Sequence, residues 1–188
     1  MKKNFKKIFF LAVLVAFGVL GRLLPHAWNT TPMTAIALFA SAYLGFEYSM
    51  VFVFAAMFIS DGIIGFYSWP IMISVYASLF VASLLGQYIK KHKNVGSIAV
   101  VTFGSSILFF LVTNWAVWQF GTMYLHSWAG LMQSYTMAVP FFRNSLVGDL
   151  FYTGAIFGVY EAICYAVGKY QTRKFVRPEG LEPPTLSV

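Results

Sequence analysis

Charge is scarce in this sequence. Asp and Glu together number 6 in 188 residues and Lys and Arg 13, so charged side chains make up 10% of the chain. A soluble domain carries about 25%. With 59% hydrophobic residues and a mean hydropathy of +0.72, there are too few charges to cover a water-facing surface. A soluble fold is excluded and an integral membrane protein is expected. Cysteine is nearly missing: Cys164 stands alone in an apolar run, which rules out an intrachain disulfide and a cysteine-held metal centre. Catalytic signatures are missing as well. No G-x-S-x-G, H-E-x-x-H, phosphate loop or Gly-rich nucleotide fingerprint occurs, so neither an enzyme nor a cofactor is expected. Strict apolar–polar alternation is absent too, which argues against a membrane barrel.

What is present is a series of continuous apolar runs. Crossing the hydrocarbon core takes about 20 mostly apolar residues. Six runs qualify, at about 8–24, 32–46, 50–66, 70–89, 97–118 and 146–167, the second of them short. The expected fold class is therefore all-α integral membrane, one domain of six helices over 1–177. Residues 178–188, with adjacent prolines and no periodicity, are expected to be a disordered tail without function. The first run follows MKKNFKK, as a signal peptide would, but it is long and no A-x-A-like site follows it, so it reads as a retained helix.

Lys and Arg set the orientation. Lys2, Lys3, Lys6 and Lys7 precede the first run, Lys90, Lys91 and Lys93 follow the fourth, and Lys169, Arg173, Lys174 and Arg177 follow the sixth. Six alternating crossings put all of these on the cytoplasmic side, with both termini. Only Arg22 and Arg143 are left outside. The basic residues thus flank a membrane, and no nucleic-acid partner is expected.

This topology gathers the remaining polar chemistry at the outer face. The loop GRLLPHAWNTTPM supplies Arg22, His26, Trp28, Asn29 and Thr31. Its two prolines punctuate it: Pro25 would end the first helix and Pro32 suits the first turn of the second, with Thr30 or Thr31 as its cap. Asp61 and Asp149 are acids within spans, each expected one or two turns from the outer interface. A carboxylate there must be paired or face water, and is a functional candidate by default. Each could instead snorkel to the headgroups or pair with Arg22 or Arg143. Asn114 and Trp118 share a helix face that Phe110 extends, fit to bond and stack on a ligand. They could equally be interhelical glue and an interfacial belt residue. Tyr124, Arg143, Asn144 and Tyr152 complete the candidate substrate-binding set.

The spacer 119–144 reads as a short interfacial helix over about 127–137, ended by Pro140, serving either as a lid or as a plain connector. His26 and His126 with Asp61 could in principle hold a metal, but no close spacing supports it, and no metal site is expected. Glu161 lies on the cytoplasmic half of the sixth run, outside the outer pocket, where it could pair with a neighbouring helix or with a partner protein.

The segments RLLPHAWNTTPMTAIALFASAYLG, FISDGIIGFYS, VTNWAVW and MYLHSWAGLMQSYTMAVPFFRNSLVGDLFYTGAIFGVYE together resemble a family of six-helix bacterial membrane proteins of unknown function. That family is similar to the substrate-binding (S) components of energy-coupling-factor transporters. The resemblance implies a bacterial inner-membrane protein that captures a small nutrient at its outer face. It also implies docking on a transmembrane coupling subunit driven by ATPases, with membrane lipid as the other partner. The A-x-x-x-A spacing of Ala12 and Ala16 matches the helix-1 docking pattern of S components. The Met-His start of nickel and cobalt S components is absent. Two other functions fit the same composition: a stand-alone small-molecule transporter or channel, and a non-catalytic membrane helper.

Overall fold

The computed structural model describes residues 2–25 and 30–175. Among the described residues there are six helices: α1 (Lys2–Leu23), α2 (Met33–Tyr43), α3 (Phe46–Ile64), α4 (Trp69–Lys91), α5 (Val95–Phe120) and α6 (Trp128–Phe175). The protein is all-α. Four of the helices, α3 to α6, are long and apolar enough to cross a membrane. The tail 178–188 lies outside the described residues.

α2 is the centre of the bundle. Its sequence MTAIALFASAY holds no charge, and a helix that is apolar all round belongs inside a protein or a membrane. All ten residues from Met33 to Ala42 are buried, with α3, α4 and α6 packed around them and α1 and α5 touching more lightly. With 11 residues, α2 is about 16 Å long, roughly half the ~30 Å hydrocarbon thickness. The expected second span, 32–46, is therefore too long at its far end. Gly45 adopts φ +120°, a conformation that side chains resist. The helix stops before it, and Phe46 opens α3. At the other end Pro32 is the cap residue rather than the first helical one, and no side chain caps the helix, so the roles expected for Pro32, Thr30 and Thr31 are not met.

Small polar residues let α4 approach α2 closely. A Cβ on Gly86 would lie 2.8 Å from the Leu38 carbonyl oxygen and 2.7 Å from the Ser41 Cβ. The Ser41 hydroxyl donates to the Ser83 carbonyl at 2.5 Å. Gln87 Nε2 donates to the Ser41 carbonyl and hydroxyl at 2.9 and 2.7 Å, and the Ser49 hydroxyl on α3 reaches Ser83 Oγ at 2.8 Å. Between apolar helices such bonds and close approaches replace the hydrophobic drive that lipid removes.

The largest departure from expectation is the spacer. No separate interfacial helix ends at Pro140: α6 runs 48 residues, straight through that proline. An interior proline costs a helix about 3 kcal/mol, and packing on α5 offsets it from both sides. Before Pro140, the Ser134 hydroxyl donates to the Asn114 carbonyl at 3.0 Å and the Tyr135 hydroxyl to the Leu111 carbonyl at 2.9 Å. After it, Phe142 lies 4.7 Å from Phe110, ring centre to ring centre. α5 and α6 thus form one antiparallel hairpin, and the segment expected to be either a lid or a plain connector is the first part of α6.

Candidate solute-binding site

The ends of α1, α2 and α3 meet at one end of the bundle. Arg22, in the last turn of α1, is a cation 17% exposed facing Asp61, a carboxylate 1% exposed. Guanidinium Nη2 stands 2.8 Å from Asp61 Oδ1, and Nη1 donates to Ser60 Oγ at 2.5 Å and to Met57 Sδ at 3.2 Å. The Tyr76 hydroxyl on α4 donates to Asp61 Oδ2 at 3.0 Å. Of the partners that sequence offered Asp61, the structure selects Arg22. Both carboxylate oxygens are engaged, so the buried charge is matched.

Asp149 stands apart from this pair. It is 7% exposed, and its Oδ2 accepts from the Ser106 hydroxyl at 2.7 Å. The Thr34 hydroxyl, at the start of α2, is its other hydrogen-bond partner. Ser106 lies near the middle of α5, so Asp149 packs against the middle of that helix.

Between the two groups lies a cavity of about 300 Å³. It is lined by Arg22, Thr31, Met33, Thr34, Met57, Tyr67, Val75, Leu79, Phe109, Ser145 and Asp149. A second, smaller cavity of about 130 Å³ shares Phe109, Ser145 and Asp149 as a wall and adds Ser106, Phe110, Thr113 and Asn114. Partial burial pushes the Tyr67 phenol up to about 12, with the Asp61 carboxylate adding to the rise and Arg22 opposing it. Tyr67 therefore remains a neutral hydroxyl at physiological pH. Gly148 keeps the α1–α2 loop close over α6: a Cβ there would meet Thr30 Cγ2 at 2.6 Å and Thr30 Cα at 3.3 Å.

The remaining candidates divide sharply. Arg22 lines one wall of the larger cavity and Asp149 the other, while Asp61 is buried behind Arg22 and lines neither cavity. Asn114 reaches only the smaller cavity, and its amide already donates to the Phe110 carbonyl of its own helix at 2.8 Å, a local bond that polar side chains make readily within helices. Trp118 lines neither cavity. Its indole donates to the Leu125 carbonyl at 3.0 Å and its ring meets His126 edge-on, so it holds the α5–α6 turn, where Tyr124 also lies. Arg143 and Asn144 are exposed on α6 just after Pro140 and line neither cavity. Tyr152 faces the opposite way, edge-on to Phe17 of α1 in an apolar groove of about 430 Å³. His26, Trp28 and Asn29 lie outside the described residues.

Sequence reasoning missed Ser60, Met57, Tyr76, Ser106 and Thr34. Met57, one helical turn before Asp61, and the adjacent Ser60 could have been hinted at by spacing, whereas Tyr76, Ser106 and Thr34 come from other helices. Among the described residues no three His, Cys, Asp or Glu side chains converge as metal ligands would.

The opposite end of the bundle is closed by Tyr43, the last residue of α2. Its hydroxyl donates to Glu161 of α6, and Lys93 Nζ sits 4.5 Å above its ring. Ala12 and Ala16 lie on an open apolar face of α1 beside Ile59. No curated protein and no solved structure matches the chain. Residues 2–173 match DUF6580, a family of unknown function, and the chain belongs to that family.

Proposed function

We propose that this protein is a membrane-embedded solute-capture subunit that takes up a small molecule at its outer face, in the manner of an energy-coupling-factor S component. The observation that carries the reading is the 300 Å³ cavity between Arg22 and Asp149. It lies at the lower end of the size range typical of small-molecule sites, mostly apolar with a few convergent polar groups. Six crossings with cytoplasmic termini would turn this cavity outward, because the lysine clusters then lie at the Tyr43 end in the bacterial inner membrane. Beneath the cavity, α2 is a solid floor of buried side chains. That favours capture over free passage, so transport would need a partner: a transmembrane coupling subunit with its ATPases, docked on a lipid-facing surface such as the Ala12–Ala16 face.

Small molecules retained by gently purified protein test this. Mass spectrometry should find a metabolite with the wild type that is lost from Val75→Trp, whose indole would fill the cavity. A metabolite retained equally by both would place binding elsewhere, and none in either would remove the capture reading.

A further inference from the structure

Of the two charged side chains that line the cavity, Arg22 is already paired and Asp149 has no charged partner among the described residues, and this difference bears on the class of solute, granted the capture reading above. Arg22 and Asp61 cancel each other at 2.8 Å, and this is the ion pair found among the described residues. Tyr67 is neutral. Asp149 is left as a carboxylate 7% exposed whose partners, the Ser106 and Thr34 hydroxyls, carry no charge. It lines both cavities and so faces open space rather than packed protein.

Among the described residues Asp149 is held by hydroxyls without a counter-charge, and burial of a carboxylate without one is costly. A positively charged guest supplies it, whereas an anion would add repulsion. The rest of the lining suits an organic cation. Phe109 shares the wall with Asp149 in both cavities, and an aromatic face attracts cations. Met33, Met57 and Leu79 offer an apolar, polarizable surface for a carbon body. A bare metal ion would find one carboxylate and no cluster of ligands among the described residues.

We propose that the captured solute is a small organic monocation, an ammonium or a positively charged ring nitrogen on a compact body, with Asp149 as its counter-ion. The test is thermal unfolding of the full-length protein in detergent with matched probes that share a body and differ in charge: benzylammonium, benzyl alcohol and benzoate, and choline against 3,3-dimethylbutan-1-ol. The cations should stabilise the wild type and the neutral and anionic partners should do so much less. Asp149→Asn should weaken cation binding at least about 10-fold, as loss of a close charge pairing does, and erase the preference. Asp149→Glu should keep it. Stronger binding of the neutral or anionic members, or an undiminished cation preference in Asp149→Asn, would overturn the monocation assignment and leave capture standing. If Asp149→Asn does not fold, the charge preference of the wild type decides alone. If no probe of any charge distinguishes the wild type from Val75→Trp, both readings fall.

Discussion

Replacing Arg22 with Met should destabilise the protein by about 3 kcal/mol, whereas Arg22→Met combined with Asp61→Asn should recover most of that loss. Removing one member of a buried ion pair strands the other, at a typical cost of about 3–5 kcal/mol. The stranded group would be Asp61, 1% exposed, while the 17% exposure of Arg22 argues for the lower end. Asn at position 61 removes the stranded charge yet still accepts from the Tyr76 hydroxyl, which now bonds Asp61 at 3.0 Å. Ser60 and Met57 would lose a donor in both variants, so the double variant should not quite reach the wild type. Denaturant unfolding in detergent measures the cycle. A single variant within about 1 kcal/mol of the wild type would mean that the pair behaves as a surface one.

Phe39→Ala should cost a similar amount, about 3 kcal/mol, through packing alone. Phe39 is 1% exposed, and its ring lies 6.1 Å from Phe10 of α1, 4.8 Å from Tyr43 of α2, and 5.3 and 5.2 Å from Phe157 and Tyr160 of α6. Truncating a buried Phe typically costs about 3–5 kcal/mol. Lipid is as apolar as a protein core, so the transfer part shrinks and the cavity part remains. Phe39→Leu keeps most of the volume and should cost clearly less. The readout is the thermal unfolding midpoint of each variant in detergent. Equal losses from Ala and Leu would point to ring-specific contacts instead of filled space. Because α2 carries Met33 and Thr34 into the cavity, the Ala variant should also bind any solute more weakly.

The class of the fold was legible from apolar runs and missing charge, and the helix positions followed closely for α4 and α5. α2 was harder. Burial against protein and burial against lipid demand the same apolar residues, so nothing in MTAIALFASAY shows that α2 is enclosed by other helices rather than by lipid. Pro140 was read by its local rule, and bonds to α5 on both sides overrode that rule. In the site, Asp61 and Asp149 stood out because a carboxylate in an apolar run needs a reason. Their partners did not, since Ser60, Ser106 and Thr34 look like ordinary small polar residues until helices distant in sequence bring them within reach. Asn114 and Trp118 have the right chemistry and the right spacing, but each side chain bonds a nearby backbone carbonyl, and composition cannot reveal where a side chain's hydrogen bonds go.

Access to the cavity is the most direct test of outward solute capture. Thr31 lines the cavity, and Cys164 is the one native cysteine. In a Cys164→Ser background, Thr31→Cys should react with a membrane-impermeant maleimide added to intact cells, and a bound solute should slow that reaction. Labelling that appears only after the membrane is permeabilised would put the cavity on the cytoplasmic side and contradict outward capture.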